Sequence, residues 1–298
     1  MTAAAVATSR DNARGIAAML IAVGALSLMD ACLKILAPHY PALQVTAIRA
    51  LAALPIIVVW VGMTSSYRDL VRVRFPLHFV RAVIGISMLT TFTFGVRHLP
   101  LADAYAIFFL APLLITAFAA LLLRERVDRQ RWIAIGGGFV GVLVVLRPTG
   151  ASALTLPGLA VLWTAIGYAL SAITVRVLGR TDSTQSMVFW LMTMTAVGAG
   201  GLALPSWRPI QPEHWITIGG IAITGSVGQW AITEAFRRGE ASVIAPFEFT
   251  ALAWGVALDW LLWRTLPAAV TLVGAAVIIA SGVYLFRRES VHVEAEHP

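Results

Sequence analysis

The chain has 298 residues, 59% of them hydrophobic and 12% charged, with a mean hydropathy of +0.82. A water-soluble protein carries about 25% charged residues, so this composition excludes a soluble globular domain and makes a membrane protein the starting point. The formal net charge of +7 rests on arginines and the single Lys34; they lie between long apolar runs, which reads as membrane-flanking charge and argues against a nucleic-acid partner.

In chain order, a polar lead (MTAAAVATSRDNARG) precedes the first apolar run, 16–37. That run is too long for a signal-peptide core and no small-residue cleavage site follows it, so it is expected to stay as the first span. It carries Asp30 and Lys34, four apart and so on one helical face. Either they form an intrahelical ion pair that lets both insert, or they gate the outer end together with Arg49 of the second span. Cys32 is the one cysteine; it rules out an intrachain disulfide and reads as a small buried hydrophobe.

A spanning helix needs about 20 apolar residues, and further runs of that kind occupy 44–62, 76–98, 101–123, 130–147, 157–178, 184–205, 215–237, 240–263 and 268–287. In the fourth, Tyr105 and Phe108 share a face with Pro112. The sixth holds Trp163 and Tyr168 at depth and Arg176 near its end, the seventh Trp190, and the eighth Gln229, Trp230 and Glu234. The ninth contains Pro246, Glu248 and Asp259. Trp132, Trp207 and Trp215 fall at span ends, where an interfacial belt is expected.

The connections are very short. His98-Leu99-Pro100 and Arg238-Gly239-Glu240 each fill a whole loop, so consecutive spans are antiparallel neighbours. With the N-terminus inside, the inner segments carry Arg10, Arg14, Arg68, Arg72, Arg74, Arg81, Arg124, Arg126, Arg129, Arg131, Arg176, Arg180, Arg237, Arg238, Arg287 and Arg288. The outer segments carry Lys34, Arg97, Arg147, Arg208 and Arg264. The positive-inside rule then places both termini in the cytoplasm.

The interior also repeats. The stretch 101–146 parallels 240–286: each has a short loop, a proline-interrupted span, a polar elbow and a glycine-containing span. More faintly, "MDACLKILAPHYPALQ" parallels "ALSAITVRVLGRTDSTQ". The expectation is an all-α membrane protein of ten transmembrane helices built as two inverted five-helix repeats, 1–148 and 149–298. A second copy of an odd-span unit must enter from the opposite side, and inverted repeats are the architecture of secondary transporters.

These features carry a resemblance. The 5+5 layout, "LAPLLITAFAALLLRERV" with "GGGFVGVLVV", and "APFEFTALAWGVALDWLLW" with "LPAAVTLVGAAVIIASG" resemble the EamA-type members of the drug/metabolite transporter superfamily over almost the whole chain. "SLMDACLKILAPHYPALQVTAIRA" is similar to the opening of bacterial carriers in that group, some of which handle amino acids, S-adenosylmethionine or riboflavin. The resemblance implies a multi-pass protein of the bacterial cytoplasmic membrane. The second elbow departs from the family pattern: where Gly-Glu is usual, this chain reads Arg264-Thr265.

Ionisable residues inside a span cost about 2.5–3.5 kcal/mol each on insertion scales, so they face the interior and mark functional positions. Glu248 has no basic residue within one turn of its own helix. It meets a base from another helix such as Arg176, or is protonated and carries a proton, or contacts substrate. Asp259, eleven residues on, can pair with Arg264. Pro246 removes a backbone hydrogen bond, and Pro112 is the comparable break in the first half; paired interruptions point to a central site. The expected substrate or gating set is Glu248, Asp30, Lys34, Arg49, Trp163, Tyr168, Tyr105, Gln229 and Arg176. The glycines of "IGGGFVG" and "ITGSVG" read as close helix packing.

The function expected is alternating-access transport of a small organic metabolite, an amino acid or amino-acid-like solute, with export favoured over import. The alternative is an uptake carrier for S-adenosylmethionine, riboflavin or a related metabolite. A passive channel lacks a filter segment. An intramembrane enzyme lacks HExxH, GxSG or DDxxD, and His39, His78, His98 and His214 stand singly near span ends without metal-ligand spacing. No cofactor or metal is expected and no Walker A sequence is present. Proton coupling and a monomer or homodimer in the bilayer complete the expectation.

Overall fold

The computed structural model describes residues 9–36, 38–64, 67–98, 107–124, 129–146 and 156–264, with scattered positions in 269–283. Among the described residues all regular structure is helical. The spanning helices are α1 (Ser9–Leu36), α2 (Ala42–Thr64), α4 (Phe75–His98), α5 (Ala111–Phe118, continued by a π-turn over Ala119–Leu123), α6 (Arg129–Leu146), α7 (Leu156–Leu178), α8 (Thr184–Ala203) and α9 (Trp215–Arg238). A short α3 (Tyr67–Val71) lies between α2 and α4. The ninth span is broken into α10 (Ala241–Ile244), a 3-10 stretch Ala245–Thr250 and α11 (Ala251–Trp263). Among the described residues five helices are long and apolar enough to cross a membrane by themselves, and shorter apolar stretches lie in α5 and α6. Their outward faces are exposed and greasy: Ile216 is 89% and Val197 72% exposed, a surface that suits lipid and not water.

Local chemistry sets several boundaries. Ser183 caps α8 by accepting the Ser186 backbone N–H at 3.1 Å, which satisfies one of the free donors of the first turn. Pro112 sits in the first turn of α5, just after a turn at Phe109-Leu110. A missing N–H costs little there; with residues 107–108 helical before the turn, the fourth span is interrupted beside this proline.

Helix pairing reveals a two-fold relation. Exchanging the halves turns the first span into the sixth, the second into the seventh, the third into the eighth and the fourth into the ninth. The main packing pairs obey that exchange: α1 on α9 matches α7 on α4, and α9 on α2 matches α4 on α8. The pair α2 with α8 maps onto itself, and α5 on α7 matches the broken ninth span on α1. A contact and its image with roles swapped is what an isologous two-fold arrangement requires. The same relation reaches the backbone. Arg124 and Arg264, directly after the fourth and ninth spans, are the two non-glycine residues with positive φ among the described residues, at 56° and 54°. Both end their helices in the left-handed conformation usually taken by glycine.

Polar ties close both ends of the bundle. At one end Tyr40 Oη and His214 Nδ1 lie 2.8 Å apart, and the side chain of Gln44 exchanges two hydrogen bonds with the backbone of Arg208. At the other end His78 Nε2 donates to Asp182 at 2.8 Å, and Asp182 also accepts from the Arg74 amide and the Thr181 hydroxyl. His78 and His214 thus each join a buried hydrogen-bond network where the third or eighth span begins.

The largest apolar core lies at the end that holds the start of α1. It draws Ile16 and Met19, Ile115, Ile173 and Leu178, Met187, Phe236 and Ile244 into one continuous cluster. Both halves of the chain contribute, so this core is a seal across the bundle. Glycines let the backbones approach: a Cβ on Gly138 would stand 2.6 Å from the Phe249 ring, and one on Gly228 2.8 Å from Leu26.

Candidate functional site

The broken ninth span is the centre of the site. Residues Ala245–Phe249 are all buried. Its 3-10 turns put Pro246 near the start of the segment and turn the Glu248 side chain inward, where the residue is only 8% exposed. Non-α backbone at membrane depth is tolerated only where protein or a cavity surrounds it. The segment packs on α1, α5 and α6, so three helices of the first half surround a segment of the second.

Glu248 Oε1 accepts a hydrogen bond of 3.0 Å from the Tyr168 hydroxyl of α7. The Tyr168 ring packs on Phe108 with centroids 5.7 Å apart. Phe108 also touches Phe92 and Phe109, and Phe109 leans on Phe249, which follows Glu248. The result is a carboxylate with one hydroxyl donor, set against a wall of aromatic rings. A carboxylate has further lone pairs that can accept from a cationic or hydrogen-bonding group.

The remaining expected residues are placed as follows. Arg176 does not supply the base for Glu248: its Nη1 donates to the carbonyl of Arg237 at 3.0 Å. Asp30 on α1 and Arg49 on α2 face each other closely enough for their charges to interact. Asp30 is exposed and Arg49 half-buried, so this pair borders open space. Gln229 is buried on α9 and donates to Thr233 of its own helix at 3.3 Å. Trp163 is 42% exposed and its indole N–H reaches Ser87 of α4 at 3.3 Å. Tyr105 and the side chains of Lys34, Pro112 and Asp259 lie outside the described residues. Arg264 stacks on Trp260 at 5.4 Å. Glu234 serves the end of α9, accepting from Thr184 and Arg238.

One buried charge was missed from sequence. Arg81, counted above among loop arginines, is 3% exposed inside α4. Its Nε approaches the Ser171 hydroxyl at 3.4 Å and its Nη1 the Met187 carbonyl at 3.3 Å. The signal was available: Arg81 lies five residues past the expected start of the third span, too deep for a flanking charge. Among the described residues no group of His, Cys, Asp and Glu could hold a metal ion.

Comparison with known proteins gives this arrangement a context. The sequence model of the EamA-like transporter family matches the chain twice, over residues 13–147 and 156–287. The pseudopaline exporter CntI of Pseudomonas aeruginosa is 24% identical over 278 residues, covering 92% of this chain and 96% of that protein. A riboflavin transporter of Vibrio cholerae is 29% identical, with 84% of each chain covered. An S-adenosylmethionine uptake transporter of Rickettsia felis is 24% identical over 74% of this chain and 75% of its own. A crystal structure at 17% identity superposes with a TM-score of 0.76, covering 92% of this chain and 96% of the other, and shares the fold. The double match over nearly the whole length, on a helical bundle with two-fold packing, shows that the chain belongs to the EamA-like transporter family of the drug/metabolite transporter superfamily, a multi-pass membrane transporter of small molecules and not an enzyme.

Proposed function

We propose that the protein exports an amino acid or amino-acid-like solute across the bacterial cytoplasmic membrane, with Glu248 as the central contact. The observation that carries this reading is the buried Glu248 carboxylate, whose one hydrogen-bond partner among the described residues is Tyr168, in a 3-10 segment that packs on helices of the first half. A primary or secondary ammonium fits such a group, and the Phe108 and Phe249 rings beside it suit an apolar side chain. Asp30 and Arg49 form the polar approach from the outer end, and Lys34 stays a sequence candidate for the same role. Gln229, Trp163 and Arg176, with Tyr105 from the sequence reading, are further candidates for the substrate route.

Both termini lie in the cytoplasm in this reading, supported by the excess of arginine on that side. The halves 1–148 and 149–298 then rock about the central site. The apolar seal around Ile16, Ile173 and Phe236 closes the cytoplasmic end, which makes the conformation described here one with its inner side shut. Glu248 is also the proton-coupling group: it releases its proton when it takes the substrate's ammonium. The transporter works as a monomer or homodimer in the bilayer.

The test is binding and then efflux. Purified protein is screened by thermal shift against amino acids, nucleosides, riboflavin and S-adenosylmethionine, and the strongest binder is loaded into proteoliposomes with and without a pH gradient. Binding of an amino acid, with efflux driven by an inward proton gradient, is expected. Uptake of riboflavin or S-adenosylmethionine is the second reading, favoured by the riboflavin and S-adenosylmethionine transporters among the relatives; binding of those two alone would replace the first.

A further inference from the structure

Arg81 is a buried guanidinium whose hydrogen-bond partners are neutral groups. Of its five N–H donors, two are used, on long bonds to the Ser171 hydroxyl and the Met187 carbonyl. Among the described residues no carboxylate lies within ion-pair distance of it. The acid nearest in the network, Asp182, is already committed to His78, Thr181 and the Arg74 amide. A buried charge without a counter-charge is costly, and in a membrane span it marks a substrate path.

Its position is as informative as its isolation. Ser171, which Arg81 approaches, lies three residues beyond Tyr168 on α7, so the two side chains are neighbours on one face, with about 5–6 Å between their Cβ atoms. Tyr168 holds Glu248. Among the described residues, one turn of α7 therefore joins a buried cation without an acid to a buried acid without a cation. The two charges come from different halves of the chain, α4 and the broken ninth span.

We propose that Arg81 is the anion-recognising residue of the transport site, binding the carboxylate of a zwitterionic substrate whose ammonium is held by Glu248. The planar guanidinium offers a carboxylate two parallel hydrogen bonds, which a lysine cannot reproduce. The substrate supplies each protein charge with its missing partner, so an uncharged or singly charged analogue leaves one of them buried and unpaired. This inference rests on the reading of Glu248 as the substrate contact.

The experiment uses the full-length protein in detergent and three probes: L-phenylalanine, L-phenylalaninamide, which lacks the carboxylate, and N-acetyl-L-phenylalanine, which lacks the ammonium. Affinities are measured for the wild type, Arg81→Gln and Arg81→Lys. The wild type is expected to prefer phenylalanine to its amide by about tenfold to a hundredfold, the worth of hydrogen bonds between charged groups. Arg81→Gln should bring that ratio close to one while amide binding is retained, and Arg81→Lys, which keeps the buried charge and so guards against a folding defect, should give an intermediate ratio. An acid-to-amide ratio unchanged in either variant overturns the role of Arg81 even if Glu248 binds the ammonium. A wild type that binds none of the probes overturns the amino-acid reading itself and this inference with it.

Discussion

Tyr168→Phe isolates the contact on which the site is built. The substitution removes one oxygen and leaves the ring that packs on Phe108 at 5.7 Å. Glu248 then loses its hydroxyl donor at 3.0 Å while remaining buried. A hydrogen bond to a charged group is worth about 1.5–3 kcal/mol, and a buried acceptor left unmade costs about 1–3 kcal/mol; Tyr168→Phe should destabilise the protein by about 1–3 kcal/mol. The loss must depend on Glu248. In a Glu248→Met background, which removes the acceptor at similar volume and leaves the hydroxyl without it, the same Tyr168→Phe change should be neutral or stabilising, because the two residues act as one unit. Reversible unfolding in sodium dodecyl sulfate gives the four corners of the cycle. An equal cost of Tyr168→Phe in both backgrounds would refute the contact.

Other predictions rest on separate parts of the bundle. Gly138→Ala forces a methyl against the Phe249 ring at 2.6 Å, whereas Gly136→Ala meets nothing within 4 Å; thermal melts should show a loss of about 1–3 kcal/mol for the first and little change for the second, and equal effects would contradict the packing. Asp182→Asn weakens the buried tie to His78 and should cost about 1–3 kcal/mol, read as a lower melting temperature that a wild-type value would exclude. Arg124→Gly relieves a left-handed backbone at φ 56° and should raise stability by about 1 kcal/mol; a fall would show that the arginine side chain outweighs the backbone term.

The spans were legible because an apolar run of bilayer length leaves little choice of structure. The run 215–237 became α9, Trp215–Arg238, and 157–178 became α7, Leu156–Leu178. The repeat was legible from elbow to elbow, and the paired left-handed arginines fall where the two elbows align. Which faces meet was not legible. Hydrophobic periodicity is weak when lipid and protein are both apolar, so nothing in the sequence turns Tyr168 toward Glu248 or Arg81 toward Ser171. Arg81 was misread because arginines cluster at that end, and the tally of flanking charge absorbed it. Arg176 was offered to Glu248 for its charge alone, yet it sits near the end of α7 and is held by the Arg237 carbonyl.

Glu248→Gln is the most direct test of the account. Proteoliposomes loaded with unlabelled L-phenylalanine should accumulate labelled L-phenylalanine by counterflow through the wild type. The substitution keeps the size of the side chain and an acceptor for Tyr168 but removes the charge that meets the ammonium. Counterflow reduced about tenfold or more, in a protein that still melts as the wild type does, is the predicted result; counterflow at the wild-type rate would contradict a carrier centred on Glu248.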